Sequence, residues 1–228
     1  MIHEIRHGDT LDELRKVETG SVDAVLMDPP YCSGGAQEAQ RTVAPRQGPV
    51  TAEGGWFDCD NMTTSALVWL LRGVAAESLR VMRPSGHFLV FMDWRMIPSL
   101  VPALETVGLI SKSLIVWDKL NFGMGLGFMP THEMIAHFTG KEPTYHDHRL
   151  GNVLRRRRVP PARKLHPTEK PLDLLCDLIS VTTPPGGLVL DPFAGSGSTV
   201  AAAKMLGRSA IGIERDAAFV EKARARIA

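Results

Sequence analysis

The sequence predicts an α/β fold: a three-layer sandwich in which a seven-stranded, mostly parallel sheet is covered by helices on both faces. Three observations carry that expectation. Short apolar runs alternate with stretches of helical period along most of the chain, the pattern of strands joined by crossover helices. Several of the short runs stop at an acidic residue, at Asp28, Asp191 and Glu214, as strands do where they deliver a polar group to one edge of a sheet. The length of 228 residues, 44% of them hydrophobic, suits one domain, 1–228, with a sizeable core.

The elements follow in order. Ile2 to Arg6 reads as the first strand. Val22 to Met27 is a second, fully apolar enough to be central, and it must end at Asp28 because Pro29 and Pro30 have no N–H to continue a ladder. Thr64 to Met82 carries Leu67, Leu70, Leu71, Val74 and Leu79 at helical spacing, and a Pro84-Ser85-Gly86 turn then leads into a strand from His87 to Met92. Ile97 to Val107 is a helix, and strands follow near Leu114 to Trp117 and Glu133 to Phe138. Leu172 to Val181 is helical, Leu188 to Leu190 is a strand ending at Asp191, and Thr199 to Leu206 is a helix. Ser209 to Ile213 gives the last strand, ending at Glu214, and Ala217 to Ile227 the last helix.

Composition excludes some classes and leaves others open. Lys plus Arg number 26 and Asp plus Glu 25, so the whole-chain charge neither favours nor disfavours a nucleic-acid partner. No stretch approaches the roughly 20 apolar residues of a membrane span, and the N-terminus has no basic segment followed by a long apolar run. A cytoplasmic protein with no membrane partner is expected. Cys32, Cys59 and Cys176 are widely spaced and form no Cys-x-x-Cys pair, so neither a disulfide framework nor a structural metal is expected. His132, His137, His146 and His148 lack the clustered spacing of a metal set.

Two segments depart from the alternation. Residues 32–62 are rich in Gly, Gln, Ala, Thr and Pro, too long for an ordinary connection, and follow Asp28-Pro29-Pro30-Tyr31 directly. Residues 141–170 hold nine basic against three acidic side chains, a local +6 in a chain whose net charge is +1. Within them Arg155, Arg156, Arg157, Arg158, Arg163 and Lys164 are candidates for phosphate contacts. Loop 141–165 is, by its charge, the expected face toward a polyanion; loop 32–62 is either a functional loop or disordered when unliganded, and only family likeness would turn it toward the same partner.

Two strand ends carry the chemistry. After Asp191, the glycines Gly195 and Gly197 let a turn approach a ligand closely before a helix starts near Thr199, and Glu214, ending the next strand about twenty residues on, is placed to accept both hydroxyls of a ribose. The run lacks the third small residue of a dinucleotide fingerprint and the Gly-Lys-Ser/Thr ending of a phosphate loop. At the other strand end, the Asp28 carboxylate and the Pro29 carbonyl form a pair of acceptors whose direction two prolines fix. Such a pair suits an exocyclic amino group on a base, whose nitrogen lone pair is freed for attack when both hydrogens are bound, with Tyr31 to stack on the ring. A base buried in a duplex would have to be flipped out to reach it.

These motifs, in this order, resemble the amino-group DNA methyltransferases that use S-adenosylmethionine, in their permuted β arrangement, in which the Asp-Pro-Pro-Tyr run precedes the glycine motif. The likeness covers nearly the whole chain. Gly8-Asp9 with Leu14 resembles the family's acidic segment that reads the cofactor's adenine. Arg80 to Gly86, Trp117-Asp118-Lys119, His132-Glu133 and His166-Pro167-Thr168-Glu169-Lys170-Pro171 resemble its central and cofactor-flanking segments. The resemblance implies a Rossmann-like methyltransferase sheet in permuted order and direct methyl transfer to adenine N6 in double-stranded DNA. It assigns Asp28, Pro29, Pro30 and Tyr31 to catalysis. It gives Asp9, Thr168, Lys170, Asp191, Phe193, Gly195, Ser196, Gly197, Thr199 and Glu214 to the cofactor, and it gives Glu169 no role. It implies a bacterial or phage-encoded setting, often within restriction and modification, and a homodimer is compatible with it. Methylation of cytosine at N4 remains the nearest alternative, although that group more often has Ser where Asp28 stands. A nucleotide-dependent oxidoreductase would explain the glycine turn but not the Asp-Pro-Pro-Tyr run, and a DNA-binding homologue without catalysis would waste both sites. A Cys nucleophile for ring-carbon chemistry would follow a proline, and Cys32 follows Tyr31.

Overall fold

A computed structural model describes residues 1–30, 63–122, 127–147, 149–160 and 169–228. One eight-stranded sheet runs through it: β1 (His3–His7), β2 (Val22–Met27), β3 (Met82–Met92), β4 (Ile110–Asp118), β5 (His132–Thr139), β6 (Val153–Arg155), β7 (Leu188–Asp191) and β8 (Ser209–Glu214), in the spatial order β1-β8-β7-β2-β3-β5-β4-β6. Only β5 runs against its neighbours; every other pairing is parallel.

Helices α1 (Thr10–Arg15), α2 (Thr64–Val81) and α3 (Ile97–Glu105) cover one face, and α4 (Leu172–Thr182), α5 (Ser198–Met205) and α6 (Ala217–Ile227) the other. The alternation of side chains along each strand divides the core accordingly. Val25, Met27, Phe88 and Val90 pack with Leu14, Leu71, Val74 and Leu100 on the first face. Leu26, Leu89, Phe91 and Val189 pack with Leu174, Leu178 and Val200 on the second. All six residues of β2 are buried, as a strand covered on both faces requires.

The sheet has one strand more than the seven expected. The addition is β6, a three-residue edge strand paired to the end of β4, in which only Leu154 is buried. So short an edge strand shows no apolar run, and here it merges into the arginines. Two further differences are local. Asp9 caps a first helix, accepting from the backbone N–H of Leu11 at 2.9 Å and of Asp12 at 3.4 Å. Pro84-Ser85-Gly86 does not precede the third strand but is a bulge inside it, because Met82 already pairs with Val22 before His87 pairs with Ala24. Gly86 is required there: a Cβ would come within 2.9 Å of the Asp23 carbonyl.

The order of connections positions the site. From β2 the chain crosses to β3 on one side, and from β7 it crosses to β8 on the other, while β2 and β7 pair directly through Ala24 with Val189 and Val25 with Leu190. The switch point of this sheet therefore lies between β2 and β7, where open α/β sheets have a crevice outside the carboxyl ends. Asp28 and Asp191 stand on its two sides, at the ends of neighbouring strands as their motifs required.

Candidate active site

The Asp191 side is a glycine turn whose backbone is held by side-chain hydrogen bonds. Asp191 is buried, and its Oδ1 accepts the Phe193 N–H at 3.0 Å while the Thr199 hydroxyl bonds to the same carboxylate. Among the described residues no cation pairs with it, so burial pushes its pKa up to about 7, with those two hydrogen bonds opposing and the negative charges of Asp28 and Glu214 adding. The turn then passes through left-handed conformations at Gly195 (φ 50°) and Gly197 (φ 76°) into α5. Ala223 of α6 lies 3.0 Å from where a Cβ on Gly197 would sit, so the turn is pressed against its neighbour as well as curled. Glu214 closes the loop from the next strand: its Oε2 accepts the Gly195 N–H and its Oε1 the Asp216 N–H, each at 2.8 Å. A carboxylate has about four lone-pair sites, so two remain to accept from a diol. Thr10, next to Asp9, donates its hydroxyl to the Pro192 carbonyl at 2.7 Å and ties the start of α1 to this loop.

The Asp28 side is built from charge. Lys170 donates to Asp28 Oδ2 at 2.6 Å, stands 3.4 Å from Glu133 Oε2, and lies 4.9 Å from the centre of the Phe91 ring. Burial alone would lower the Lys170 pKa, but the Asp28 and Glu133 carboxylates outweigh it and hold the ammonium above its ordinary value. Burial would likewise raise Glu133, and Lys170 and Lys119 reverse that, leaving it below the usual carboxylate range.

The residue before Lys170 turns to the other pocket. Glu169 is buried and accepts from Arg226 of α6 at 2.7 Å, and Arg226 also donates to the hydroxyls of Ser198 at 3.0 Å and Ser196 at 3.4 Å. Sequence reasoning missed this pair. Arg226 reads as an ordinary cation in a helix's last turn, and nothing in its spacing marks it as facing inward. Glu133 was also missed, although a carboxylate at the head of an apolar strand is a signal of a polar group delivered to an edge.

The structure thus brings together Asp28, Pro29, Pro30 and Lys170 on one side, and Asp9, Asp191, Phe193, Gly195, Ser196, Gly197, Thr199 and Glu214 on the other. Lys170, which the family resemblance placed with the cofactor, has its ammonium on Asp28. Tyr31, Thr168, Arg163, Lys164 and the loop 32–62 lie outside the described residues. The arginine run divides. Arg155, Arg157 and Arg158 are exposed, with Arg155 3.5 Å from Asp118, whereas Arg156 turns inward to Asp177 at 2.8 Å and Asp173 at 3.7 Å on α4. Between the run and the Glu169–Arg226 pair opens a cleft of about 600 Å³, lined by Asn121, Arg157, Arg158, Asp173 and Arg226. Among the described residues no three metal-ligating side chains gather, and no helix is long and apolar enough to cross a membrane. His137 is instead part of a buried pair, 3.0 Å from His87.

The glycine turn on one side of the switch point and the charge-held Asp-Pro-Pro on the other define a doubly wound α/β protein whose two motifs flank one crevice. Residues 22–225 match the DNA methylase family N6_N4_Mtase, and the chain belongs to that family of DNA amino-methyltransferases. It is 28% identical over 244 residues to the type II methyltransferase M.HpaI of Haemophilus parainfluenzae, spanning 96% of this chain and 72% of that one. It is 26% identical over 251 residues to the type II methyltransferase M.HinfI of Haemophilus influenzae, spanning 99% and 68%. Among solved structures, the fold is similar to that of the M1.HpyAVI–SAM complex, with a TM-score of 0.74 at 24% identity over 100% of this chain and 99% of that one. It is also similar to the PvuII DNA methyltransferase (cytosine-N4-specific), with a TM-score of 0.75 at 18% identity over 98% and 86%.

Proposed function

We propose that this chain transfers a methyl group from S-adenosylmethionine to N6 of adenine in double-stranded DNA, on a base flipped out of the helix. The observation that carries the reading is the pairing of β2 with β7, which opens the Asp28 pocket and the Asp191 loop into one crevice. The residues fit the cofactor. Glu214 has acceptor sites left for the ribose hydroxyls, Asp9 lies beside the loop for the adenine, and the buried Asp191, with no cation on it among the described residues, suits a ligand that carries positive charge. Phe193, Gly195, Ser196, Gly197 and Thr199 line the turn, and Thr168 extends it by family resemblance.

When bound, S-adenosylmethionine supplies an electrophilic methyl group whose leaving partner is a neutral thioether. The chain's residues do the rest. Asp28 and the Pro29 carbonyl accept the two amino hydrogens, so that the nitrogen lone pair points at the methyl carbon, and Tyr31 stacks on the base. The Asp28 carboxylate would take the proton that the amino nitrogen must shed on accepting the methyl group. Lys170 favours that carboxylate being ionised at the start. The likeness to a cytosine-N4 enzyme keeps N4 as the second reading.

Labelled S-adenosylmethionine and unmethylated genomic DNA, followed by base analysis, test the proposal. N6-methyladenine is expected from the wild type and none from Asp28→Ala. Label in N4-methylcytosine would replace the adenine reading, and full activity in Asp28→Ala would remove the catalytic assignment. Exposed Arg155, Arg157 and Arg158 are the residues that meet phosphates. Their joint replacement by Ala should flatten the log–log salt dependence of DNA binding by about 0.9 for each phosphate they neutralise.

A further inference from the structure

Lys170 is held from two sides, and the second side leads outward through the protein. Glu133, near the start of β5, takes the ammonium at 3.4 Å on Oε2 and receives Lys119, just past the end of β4, at 3.3 Å on Oε1. Asp28, Lys170, Glu133 and Lys119 are thus four charges of alternating sign, drawn from the end of β2, the segment before α4, β5 and the β4–β5 connection. Their side chains are 19%, 7%, 24% and 19% exposed, so none is a freely solvated surface charge.

The chain of charges solves a problem that Asp28 alone would have. A partly enclosed carboxylate is stabilised by a cation, yet a lone ammonium bound to it at 2.6 Å would concentrate its whole charge there and weaken the same carboxylate as an acceptor for anything else. A second carboxylate on the far side of the ammonium shares that charge. It also fixes the ammonium between two anchors, with the Phe91 ring against it. Glu133 in turn would bring an uncompensated negative charge indoors, and Lys119 cancels it.

We infer that Glu133, held by Lys119, is a positioning residue for methyl transfer: it draws on the Lys170 ammonium so that Asp28 is fixed in place and still accepts strongly from the target amino group. This rests on the proposed function, whose own test is methylation of DNA by the unaltered chain.

The experiment measures kcat, the KM for S-adenosylmethionine and the melting temperature for the wild type, Glu133→Gln, and Glu133→Gln with Lys119→Met. Glu133→Gln is expected to lower kcat by roughly ten- to a hundredfold, the scale of a small misplacement of a reacting group, with the cofactor KM within about twofold of wild type. The double variant removes one charge of each sign, so it should recover melting temperature but not kcat. A Glu133→Gln kcat within about twofold of wild type, or a kcat restored in the double variant together with its stability, overturns the inference. Absence of methyl transfer by the wild type on any unmethylated DNA overturns the underlying reading, and this inference with it.

Discussion

Two aspartates end neighbouring strands of one sheet, and the protein treats them oppositely. Asp28 has its charge answered by a buried lysine, itself held by a second carboxylate. Asp191 is fully enclosed, has hydrogen bonds but no cation among the described residues, and is pushed up to about pKa 7 by that burial. The difference teaches what each pocket is shaped to receive. A carboxylate that must accept from a neutral amino group is best kept ionised by the protein itself. A carboxylate left near its titration point is completed by a cationic ligand, which lowers its pKa on arrival.

Removing the cation from the first side should break the contrast. Lys170→Met takes the buried ammonium from between the partly buried Asp28 and Glu133 carboxylates, and about 3–5 kcal/mol of stability should be lost in urea unfolding. Adding Asp28→Asn should return a good part of it; no recovery would mean that Lys170 matters mainly through Glu133 or Phe91. The second side has an ion pair of its own among the described residues, Glu169 with Arg226 behind the glycine turn. Arg226→Ala leaves Glu169 buried and unanswered by that guanidinium and frees the Ser196 and Ser198 hydroxyls. Roughly 2–3 kcal/mol should be lost, with S-adenosylmethionine affinity by calorimetry weakened more than kcat.

The smallest effect is the most specific. Because the Asp191 pKa is raised in the folded chain from its ordinary 3.8 to about 7, the folded state holds a proton that the unfolded state has already lost across that window. Stability from this group is therefore full below the unfolded value and falls as pH rises toward 7. Asp191→Asn should stabilise the ligand-free protein by about 1–2 kcal/mol more at pH 8 than at pH 5, read by thermal melts. The same variant should flatten the rise of S-adenosylmethionine affinity between pH 6 and 8 that ionisation of Asp191 produces. A wild-type affinity that is level across that range would show that the ligand's positive charge does not sense Asp191.

Much of the architecture was legible because its signals are local. Pro29 and Pro30 stop β2, and the glycines after β7 demand a turn, whatever the rest of the chain does. The pairing of those strands followed from the order of their motifs. What escaped the sequence depends on partners distant along the chain. β6 exists because Val153 to Arg155 meets the edge of β4, and its one buried side chain is Leu154. Arg156 has the same neighbours in sequence as Arg157, but only the placement of α4 brings Asp173 and Asp177 to it. Lys170 is marked as a site residue by its motif, and the structure adds that its ammonium lies on Asp28, since a motif states which residues matter and not which of two adjoining pockets each side chain enters.

Glu169 and Lys170 are consecutive, and one reaches the glycine turn through Arg226 while the other reaches Asp28. A single peptide unit therefore acts as a gauge block between the glycine turn and the Asp28 end of β2. Consecutive Cα atoms lie about 3.8 Å apart across a trans peptide, and this length does not stretch. An inserted residue between the two would offset the side chains by that step, too far for the 2.7 Å pair of Glu169 with Arg226 and the 2.6 Å pair of Lys170 with Asp28 both to be kept. Drift in the surrounding loops can be absorbed, but the spacing across this one bond cannot.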